Sequence, residues 1–374
     1  MKRYDFISHY SIHDLVPVLK DGKWGFVTGY GYKEVVAPKY SKCPEANDRY
    51  YITVFSGNQK GLINKDGKEI LPTIYKDIQV ENQDRIIATC ADGSYVIVDF
   101  NGTELIRLVY DDISYYTDDI IIVSKDGVSG VVTISGEVKV PLEYVKICYE
   151  LKANMFTCKK KDVWGVISTQ NKIILPFEFD GVKVGQHIKV YKNGCYGIYN
   201  CNGKCIIYPD KYTYITETFG DLFIVEIDDY EGVVDKFGAN FVPCKYRSIG
   251  HFMNGYAMVE NDDGLYGYIN VVGREICKLE YEEAKDFVNG MAAVKLNGKW
   301  GYINIIGKLT VPAIYDNCSC FYEKGYAVVS RCGKCTVIDQ KGKELFPLIY
   351  DDIREIYDDH IKVTYNGEYG IVKL

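Results

Sequence analysis

Short apolar segments bounded by tight-turn residues recur along the whole chain. The segment from Lys299 to Cys318, KWGYINIIGKLTVPAIYDNC, has an apolar run in Trp300–Asn304, then a glycine, then a second run that reaches proline. Runs of about 4–8 such residues between Gly, Asn or Asp are typical of β-strands joined by tight turns. Since no stretch has the 3.6-residue period of a helix, the pattern predicts an all-β protein.

The segments form a tandem repeat. One fixed place, the second position of a Trp-Gly-like pair, holds Gly25, Gly61, Gly130, Gly165, Gly197, Gly232, Gly267, Gly301 and Gly370, with Val96 and Thr336 at the two remaining places. Successive places are 32 to 36 residues apart, which gives ten complete repeats and a final partial one. Such self-similarity predicts a repeat architecture. Residues 1–20 are interpreted as a degenerate lead-in with the first strand, and residues 21–374 as a single array.

Two further places in each repeat hold only residues that tolerate a left-handed backbone. The first holds Gly22, Asn58, Gly93, Gly127, Asp162, Gly194, Asp229, Gly264, Gly298, Gly333 and Gly367; the second holds Gly31, Gly67, Gly102, Gly136, Asn171, Gly203, Gly238, Gly273, Gly307 and Gly342. Two turns around one strand predict a three-stranded meander per repeat. Strands A, B and C are typified by Gly325–Val329, Trp300–Asn304 and Lys308–Val311. We expect strand C to end at proline and a return turn to begin at the aromatic residue three places later.

These features resemble the bacterial WG-repeat family, also called KWG repeats. The resemblance rests on the Pro-x-x-Tyr tail and on the pairs Trp24-Gly25, Trp164-Gly165, Tyr196-Gly197, Tyr266-Gly267, Trp300-Gly301 and Tyr369-Gly370. It covers nearly the whole chain. Departures at the Trp place are Lys60, Ser129, Glu231 and Cys335. The resemblance implies an all-β repeat protein that offers a binding surface, and it implies no reaction.

A repeat of this size needs neighbours to cover its apolar face. An open solenoid or superhelix is predicted, because three strands are counted per repeat and the two termini do not complement each other. A closed ring resembling a β-propeller, whose blades have four strands, is the alternative. A radius of gyration of about 21 Å, the value for a compact protein of this length, would contradict the open form.

Composition and charge narrow the classes of partner. The net charge is −7 and basic residues are not concentrated anywhere, so no nucleic-acid partner is predicted. The 13 cysteines are an odd number and the N-terminal segment lacks the apolar core of a signal peptide, which favours reduced thiols in a cytoplasm. Apolar runs such as Ile120–Val123 are too short to span a membrane, so no membrane association is predicted.

No catalytic or metal-binding set stands out in the sequence. The spacing Gly301-x5-Gly307-Lys308 is one residue too long for a phosphate-binding loop, and no Ser or Thr follows the lysine. Four thiolates could hold zinc, but Cys318, Cys320, Cys332 and Cys335 are interpreted as ordinary repeat positions. The five histidines share no register. The chain is therefore predicted not to be an enzyme and to need no cofactor or metal.

Tyrosine is the best lead to function. The chain has 34 tyrosines, and many lie outside the registers that build the repeat. Tyrosine suits recognition surfaces because it combines apolar area with a hydrogen-bonding tip. The predicted binding surface comprises Tyr115, Tyr116, Tyr191, Tyr199, Tyr322 and Tyr357, with packing between repeats as the alternative role. The predicted function is a scaffold that binds another protein; the alternatives are a carbohydrate or cell-wall binding module and an enzyme with a site between repeats.

Overall fold

The repeats fold as a series of small antiparallel sheets. A computed structural model describes residues 3–47, 50–81, 85–218, 220, 222–357 and 360–373, with the side chains of residues 355–357 outside the description. All regular structure in these ranges is β-strand, and no helix there could cross a membrane. The chain divides into two compact units, Met1–Val184 and Gly185–Leu374. The all-β tandem repeat is therefore confirmed, while the single array over residues 21–374 stays a prediction.

The first unit contains five four-stranded sheets, each with its strands paired in chain order or the reverse. They comprise β1–β4, β5–β8, β9–β12, β13–β16 and β17–β20, and β21 follows. The strands are β1 (Phe6–Ile7), β2 (Leu15–Lys20), β3 (Lys23–Thr28), β4 (Glu34–Tyr40), β5 (Glu45–Ala46), β6 (Tyr51–Ser56), β7 (Gln59–Asn64), β8 (Glu69–Tyr75), β9 (Asp77–Glu81), β10 (Arg85–Thr89), β11 (Tyr95–Asp99), β12 (Glu104–Leu108), β13 (Asp112–Thr117), β14 (Ile120–Lys125), β15 (Val128–Val132), β16 (Val138–Tyr144), β17 (Lys146–Glu150), β18 (Met155–Lys160), β19 (Val163–Ser168), β20 (Ile173–Phe179) and β21 (Gly181–Val184).

The second unit continues the pattern with some shorter sheets. β22, β23 and β24 pair in that order, β25–β28 and β32–β35 are four-stranded, and β29–β31, β36–β38 and β39–β41 are three-stranded. The strands are β22 (Ile188–Lys192), β23 (Cys195–Tyr199), β24 (Cys205–Tyr212), β25 (Tyr214–Thr218), β26 (Leu222–Ile227), β27 (Tyr230–Val234), β28 (Asn240–Tyr246), β29 (Ser248–Ile249), β30 (Tyr256–Glu260), β31 (Tyr266–Asn270), β32 (Glu283–Ala284), β33 (Met291–Leu296), β34 (Lys299–Asn304), β35 (Leu309–Tyr315), β36 (Asn317–Cys318), β37 (Tyr326–Arg331), β38 (Lys334–Asp339), β39 (Asp352–Tyr357), β40 (His360–Tyr365) and β41 (Glu368–Lys373).

The segment after the Pro-x-x-aromatic tail is a strand rather than the return turn expected from the sequence. β13, for example, pairs with β14 and opens the next sheet. It is an edge strand with no fully buried residue, so its sequence lacks the continuous apolar run that marks strands A and B. A four-stranded sheet therefore consists of this return strand followed by A, B and C. The strand count no longer favours an open array over a ring, and the open array stays a prediction.

Strand C does not end at proline, contrary to expectation. Pro312 lies inside β35, whose pairing continues to Tyr315 opposite Trp300. The register shifts between Trp300 and Tyr302, so a bulge surrounds the proline. Proline is tolerated at a bulge on an edge strand because no ladder hydrogen bond needs its missing N–H.

The left-handed turns are predicted almost completely by the sequence. All ten second-turn residues have positive φ, including Asn171 at 58°. In the first turn the prediction is wrong at Asn58 and Asp162, where the preceding residues Gly57 and Lys161 have positive φ instead. A hairpin turn of type II′ places its positive φ at the first of its two central residues, which accounts for the shift.

A side-chain cap at the second turn escaped the sequence analysis. The Asn304 side-chain oxygen accepts hydrogen bonds from the backbone N–H of Ile306 at 3.2 Å and of Lys308 at 3.0 Å. The same pair of bonds is made by Asn64, Asp99, Asn200, Asp235, Asn270 and Asp339. The signal was available, since every complete repeat has Asn, Asp, Ser or Thr three residues after the second position of the pair.

Most hydrophobic clusters of the described residues join two successive sheets. One cluster combines Trp300 and Tyr302 of β34 with Val329 of β37 and Ile338 of β38. Another combines Leu62 of β7 with neighbours on β8, β10 and β11. A single meander has too little apolar surface to form a core, so a repeat becomes stable by packing against its neighbour.

Candidate functional site

The glycine of the Trp-Gly-like pair allows strand C to approach closely. A Cβ added to Gly301 would lie 2.6 Å from the Val311 carbonyl oxygen and 2.8 Å from the Ala313 nitrogen. At the same place in other repeats the nearest atom to an added Cβ would belong to the strand-C segment and lie at 2.5 to 2.9 Å; these glycines are Gly25, Gly61, Gly130, Gly165, Gly197, Gly232 and Gly267. At Gly370 the nearest atom is Val363 Cγ2 at 3.5 Å. The glycine therefore serves the fold wherever strand C is present.

The aromatic residue of the pair also has a packing role. Trp300 lies opposite Tyr315 and is buried, with the Lys285 ammonium 4.8 Å from its ring centre. The half-buried aromatics Trp24, Trp164, Tyr196 and Tyr266 lie opposite Tyr40, Phe179, Tyr212 and Tyr281. Tyr369 is exposed in the last sheet. Except there, the motif aromatics form cross-strand pairs that stabilise the sheet.

The tyrosines predicted as a binding surface differ in their local surroundings. The Tyr115 hydroxyl donates to Asp118 Oδ1 at 2.6 Å, and Asp118 also accepts from Arg85, so Tyr115 belongs to a polar network. Burial and the adjacent carboxylate raise the pKa of Tyr115, which keeps its hydroxyl a donor. Tyr116 is exposed, and its ring packs 5.4 Å from that of Tyr149.

The structure gives different results for three other tyrosines of the predicted binding surface. Tyr199 is 8% exposed on the inner face of β23, so its prediction as a surface residue is wrong. Tyr322 is exposed, with its ring 5.8 Å from that of Tyr326. The side chain of Tyr357 lies outside the described residues. Alternation along the strand carries no signal for this burial, because Gly197, Ile198 and Tyr199 are three consecutive buried residues.

Tyr191 belongs to a partly exposed aromatic cluster of the second unit. Its ring centre lies 4.9 Å from that of Tyr196 directly across the strand pair, and the Tyr196 ring lies 6.2 Å from Tyr214. Tyr191 is 37% exposed and Tyr214 is 45% exposed. We call Tyr191, Tyr196, Tyr214 and Lys189 the tyrosine patch.

Lys189 fixes the rings of the tyrosine patch. Its ammonium lies 4.5 Å from the Tyr196 ring centre and 4.7 Å from that of Tyr214, and it donates a hydrogen bond to the Ile215 carbonyl. A cation above two aromatic faces is attracted by their quadrupoles and holds both rings in place. The patch therefore offers preorganised apolar area, phenol hydroxyls and a positive charge. Lysine is common on strands, so no feature of the sequence indicated this role for Lys189.

The cysteines do not gather into a metal centre in the described part of the chain. No group of three or more His, Cys, Asp or Glu residues there is placed to hold a metal ion. Cys318 is buried while Cys332 is exposed, and all thirteen cysteines are free thiols.

We expect the buried thiols to resist chemical modification in the folded protein. Burial raises the pKa of Cys158 to about 12 and the pKa of Cys318 to about 11, so neither forms appreciable thiolate at pH 8. A maleimide or disulfide reagent should modify exposed Cys332 quickly and these two only after unfolding in urea. Peptide mapping by mass spectrometry measures the order of labelling. Equal rates at Cys158 and Cys332 would contradict the expectation.

Comparison with solved structures gives only weak likenesses. The extracellular domain of a hybrid two-component system, BT3049, from B. thetaiotaomicron is 9% identical with a TM-score of 0.26, over 98% of this chain and 64% of that one. The extracellular domain of a one-component system, BT4673, from the same organism is 10% identical with a TM-score of 0.28, over 100% and 76%. PorZ, a surface component of the type-IX secretion system of Porphyromonas gingivalis, is 8% identical with a TM-score of 0.24, over 99% and 64%. The chain thus spans about 64% of the length of the first of these.

At these TM-scores the likeness establishes neither a function nor a location. None of the curated proteins matches the sequence. The model of a single family, the WG containing repeat, matches residues 61–91, 97–128, 164–184, 232–264, 266–300, 300–335 and 336–369. These matches include more than half of the chain and agree with the glycine contacts and cross-strand aromatic pairs described above. The chain belongs to the family of proteins with WG-containing repeats.

Proposed function

We propose that this protein is a non-enzymatic repeat scaffold that binds another protein through the tyrosine patch. The observation that carries the proposal is the fixed contact of Tyr191, Tyr196 and Tyr214 around Lys189, with two of the rings partly exposed. Rings held in place before binding lose little conformational entropy, so their contacts contribute more fully to affinity. Tyrosine is also enriched among the residues that dominate protein interfaces.

A folded protein fits the tyrosine patch better than a sugar does. Tyr191 and Tyr214 are tilted by 48° and 77° from Tyr196, so the three rings do not form a flat platform for stacking. Lys189 also lies over Tyr196 and Tyr214, which limits access to one face of each ring. Carbohydrate remains the second candidate ligand because the hydroxyl groups of Tyr could bond sugar hydroxyls. We place the protein in a reducing compartment, the cytoplasm, in keeping with its free thiols.

The test is a capture experiment with a patch variant and a surface control. The double substitution Tyr191→Ala and Tyr214→Ala should lower affinity for a captured protein by about thirtyfold or more, since one interface hot spot is worth about 2 kcal/mol. The control, Tyr30→Ala with Tyr32→Ala, removes two exposed tyrosines elsewhere and should retain binding. Quantitative mass spectrometry of the bound fractions compares the three proteins.

Two results would contradict the proposal. One is capture of the same protein by the patch variant at wild-type affinity, and the other is failure of the wild type to enrich any protein. Binding of the wild type on a glycan array, lost in the patch variant, would favour the carbohydrate alternative instead.

A further inference from the structure

Three successive second turns of the second unit expose bulky apolar side chains. Phe237, Val272 and Ile306 each precede the positive-φ glycine of their turn, and they are 80%, 71% and 72% exposed. We call these three residues the apolar tips. Turns favour polar residues, so the repeat itself does not require apolar side chains here. The same place is Tyr30 in the first repeat and polar in six others, which have Asp66, Asn101, Ser135, Gln170, Asn202 and Lys341.

The three turns follow one another in space as well as in sequence. A Cβ added to Gly273 would lie 2.7 Å from Val242 Cγ2 and 2.8 Å from Phe241 Cδ2, so this turn packs on strand C of the preceding repeat. Gly307 packs in the same way on Ile276, in the repeat before it. Because each turn contacts the preceding repeat, the apolar tips form a row within the second unit.

A basic side chain accompanies each of the apolar tips. The Lys236 ammonium lies 5.7 Å from the ring centre of the first tip. Arg274 and Lys308 each lie two residues after a tip, and both are exposed. Among the described residues no carboxylate forms an ion pair with Arg274 or Lys308, since Glu275 is paired with Lys245 instead. The row therefore combines apolar side chains with positive charge, which complements an anionic surface.

The backbone of these turns is hydrogen-bonded within the turn. The Asn304 side chain accepts from the N–H groups of Ile306 and Lys308, and the glycine N–H of the turn donates to the Asn304 carbonyl at 2.8 Å. The turns that begin at Asp235 and Asn270 make the same three bonds. Such a backbone enters a medium of low dielectric constant at a smaller cost, because these N–H groups do not depend on water.

We propose that the apolar tips insert into the surface of a membrane that carries anionic lipids. The tips would enter the boundary between headgroups and acyl chains, while Lys236, Arg274 and Lys308 contact lipid phosphates. A fluid lipid surface accommodates three side chains of different shape, whereas a protein groove would have to match each one. The prediction of no membrane association rested on the absence of spanning segments, which a surface contact does not need.

The test is co-sedimentation of the full chain with lipid vesicles. We expect binding to vesicles of equal parts phosphatidylglycerol and phosphatidylcholine, and about tenfold weaker binding or less to phosphatidylcholine alone. Raising the salt concentration to 0.5 M should weaken binding to the anionic vesicles. Phe237→Ser with Val272→Ser and Ile306→Ser, the tip variant, should lower the affinity by about a hundredfold or more, because three apolar side chains no longer leave water.

Two further variants separate the tips from a general loss of apolar surface or of fold. Val109→Ser with Leu151→Ser and Ile173→Ser removes three apolar side chains of similar exposure from the first unit and should bind as the wild type does. Arg274→Gln with Lys308→Gln keeps all three tips and should weaken binding to anionic vesicles by about tenfold or more. Circular dichroism of each variant should match that of the wild type, because every substituted side chain is exposed.

Several outcomes would overturn the proposal. They are no binding of the wild type to anionic vesicles, equal binding to both kinds of vesicle, or equal binding by the tip variant. Sedimentation showing a dimer that the tip variant abolishes, without vesicle binding, would assign the tips to a second copy of the chain instead. The tyrosine patch contains none of these residues, so Tyr191→Ala with Tyr214→Ala should retain vesicle binding whatever its effect on protein capture.

Discussion

Gly301→Ala should destabilise its sheet by about 3 kcal/mol, near the upper end of the usual cost of overpacking. The added methyl group would lie 2.6 Å from the Val311 carbonyl oxygen and 2.8 to 2.9 Å from backbone atoms of Ala313. All three neighbours are backbone atoms, so no side-chain rotation can relieve the clash. Native-state hydrogen exchange of the β34 and β35 amides measures the loss of local stability. A local measurement is preferable to global unfolding because repeat arrays need not unfold in a single step.

The matched control for this change is Gly370→Ala. It makes the same substitution at the same place in the repeat, but the nearest atom among the described residues is Val363 Cγ2 at 3.5 Å. We expect a change within about 0.5 kcal/mol, as for an ordinary surface substitution. An equal loss in both variants would mean that backbone flexibility, rather than contact with strand C, accounts for glycine at this position.

Tyr302→Ala should cost about 4 kcal/mol, the value typical of removing a fully buried aromatic ring. Tyr302 is buried between two sheets, with its ring 4.8 Å from that of Phe321. Its hydroxyl donates to the Ser319 carbonyl at 2.9 Å, which ties β34 to the following repeat. Thermal unfolding followed by circular dichroism measures the loss of overall stability. Hydrogen exchange of the β37 amides measures the loss of stability in the repeat that follows Tyr302.

Tyr302→Phe separates the hydrogen bond from the packing. It keeps the ring but leaves the Ser319 carbonyl without this donor, at an expected cost of about 1–3 kcal/mol. Tyr30→Phe removes a hydroxyl from an exposed ring and should change stability little. If Tyr302→Phe were as stable as the wild type, the hydroxyl bond between repeats would make no net contribution.

The sequence predicts turns here better than it predicts strand number. Gly307 and its equivalents meet a single local requirement, a positive φ. Because glycine meets this requirement without steric cost, its presence in the sequence directly indicates the turn. The return strand has no such marker, because β13 lies at an edge and buries little. The expectation that strand C ends at Pro312 was wrong for a related reason. Whether proline ends a strand depends on the bulge between β34 and β35, which involves the pairing of two strands.

The candidate binding surface was harder to predict from the sequence than the turns. The exposure of each tyrosine side chain depends on the residues that pack around it in three dimensions. Tyr191 and Tyr199 both lie outside the repeat registers, yet the first is exposed at the tyrosine patch and the second is buried in β22–β24. Lys189 acquires its role only when two successive repeats bring Tyr196 and Tyr214 to the same side chain. The family assignment follows from residue spacing, whereas the binding surface depends on packing between repeats.

The sharing of hydrophobic clusters by successive sheets has an evolutionary consequence. Duplicating one repeat adds one sheet and one shared cluster, and every existing pair of neighbours keeps its contacts. Chain length can therefore change in steps of one repeat without redesign of the interior. Insertion of a single residue inside strand B would instead exchange the two faces of the sheet for the residues that follow it. Gene duplication is thus the least disruptive route by which such a protein can gain surface, and the surface tyrosines of each new copy are free to diverge.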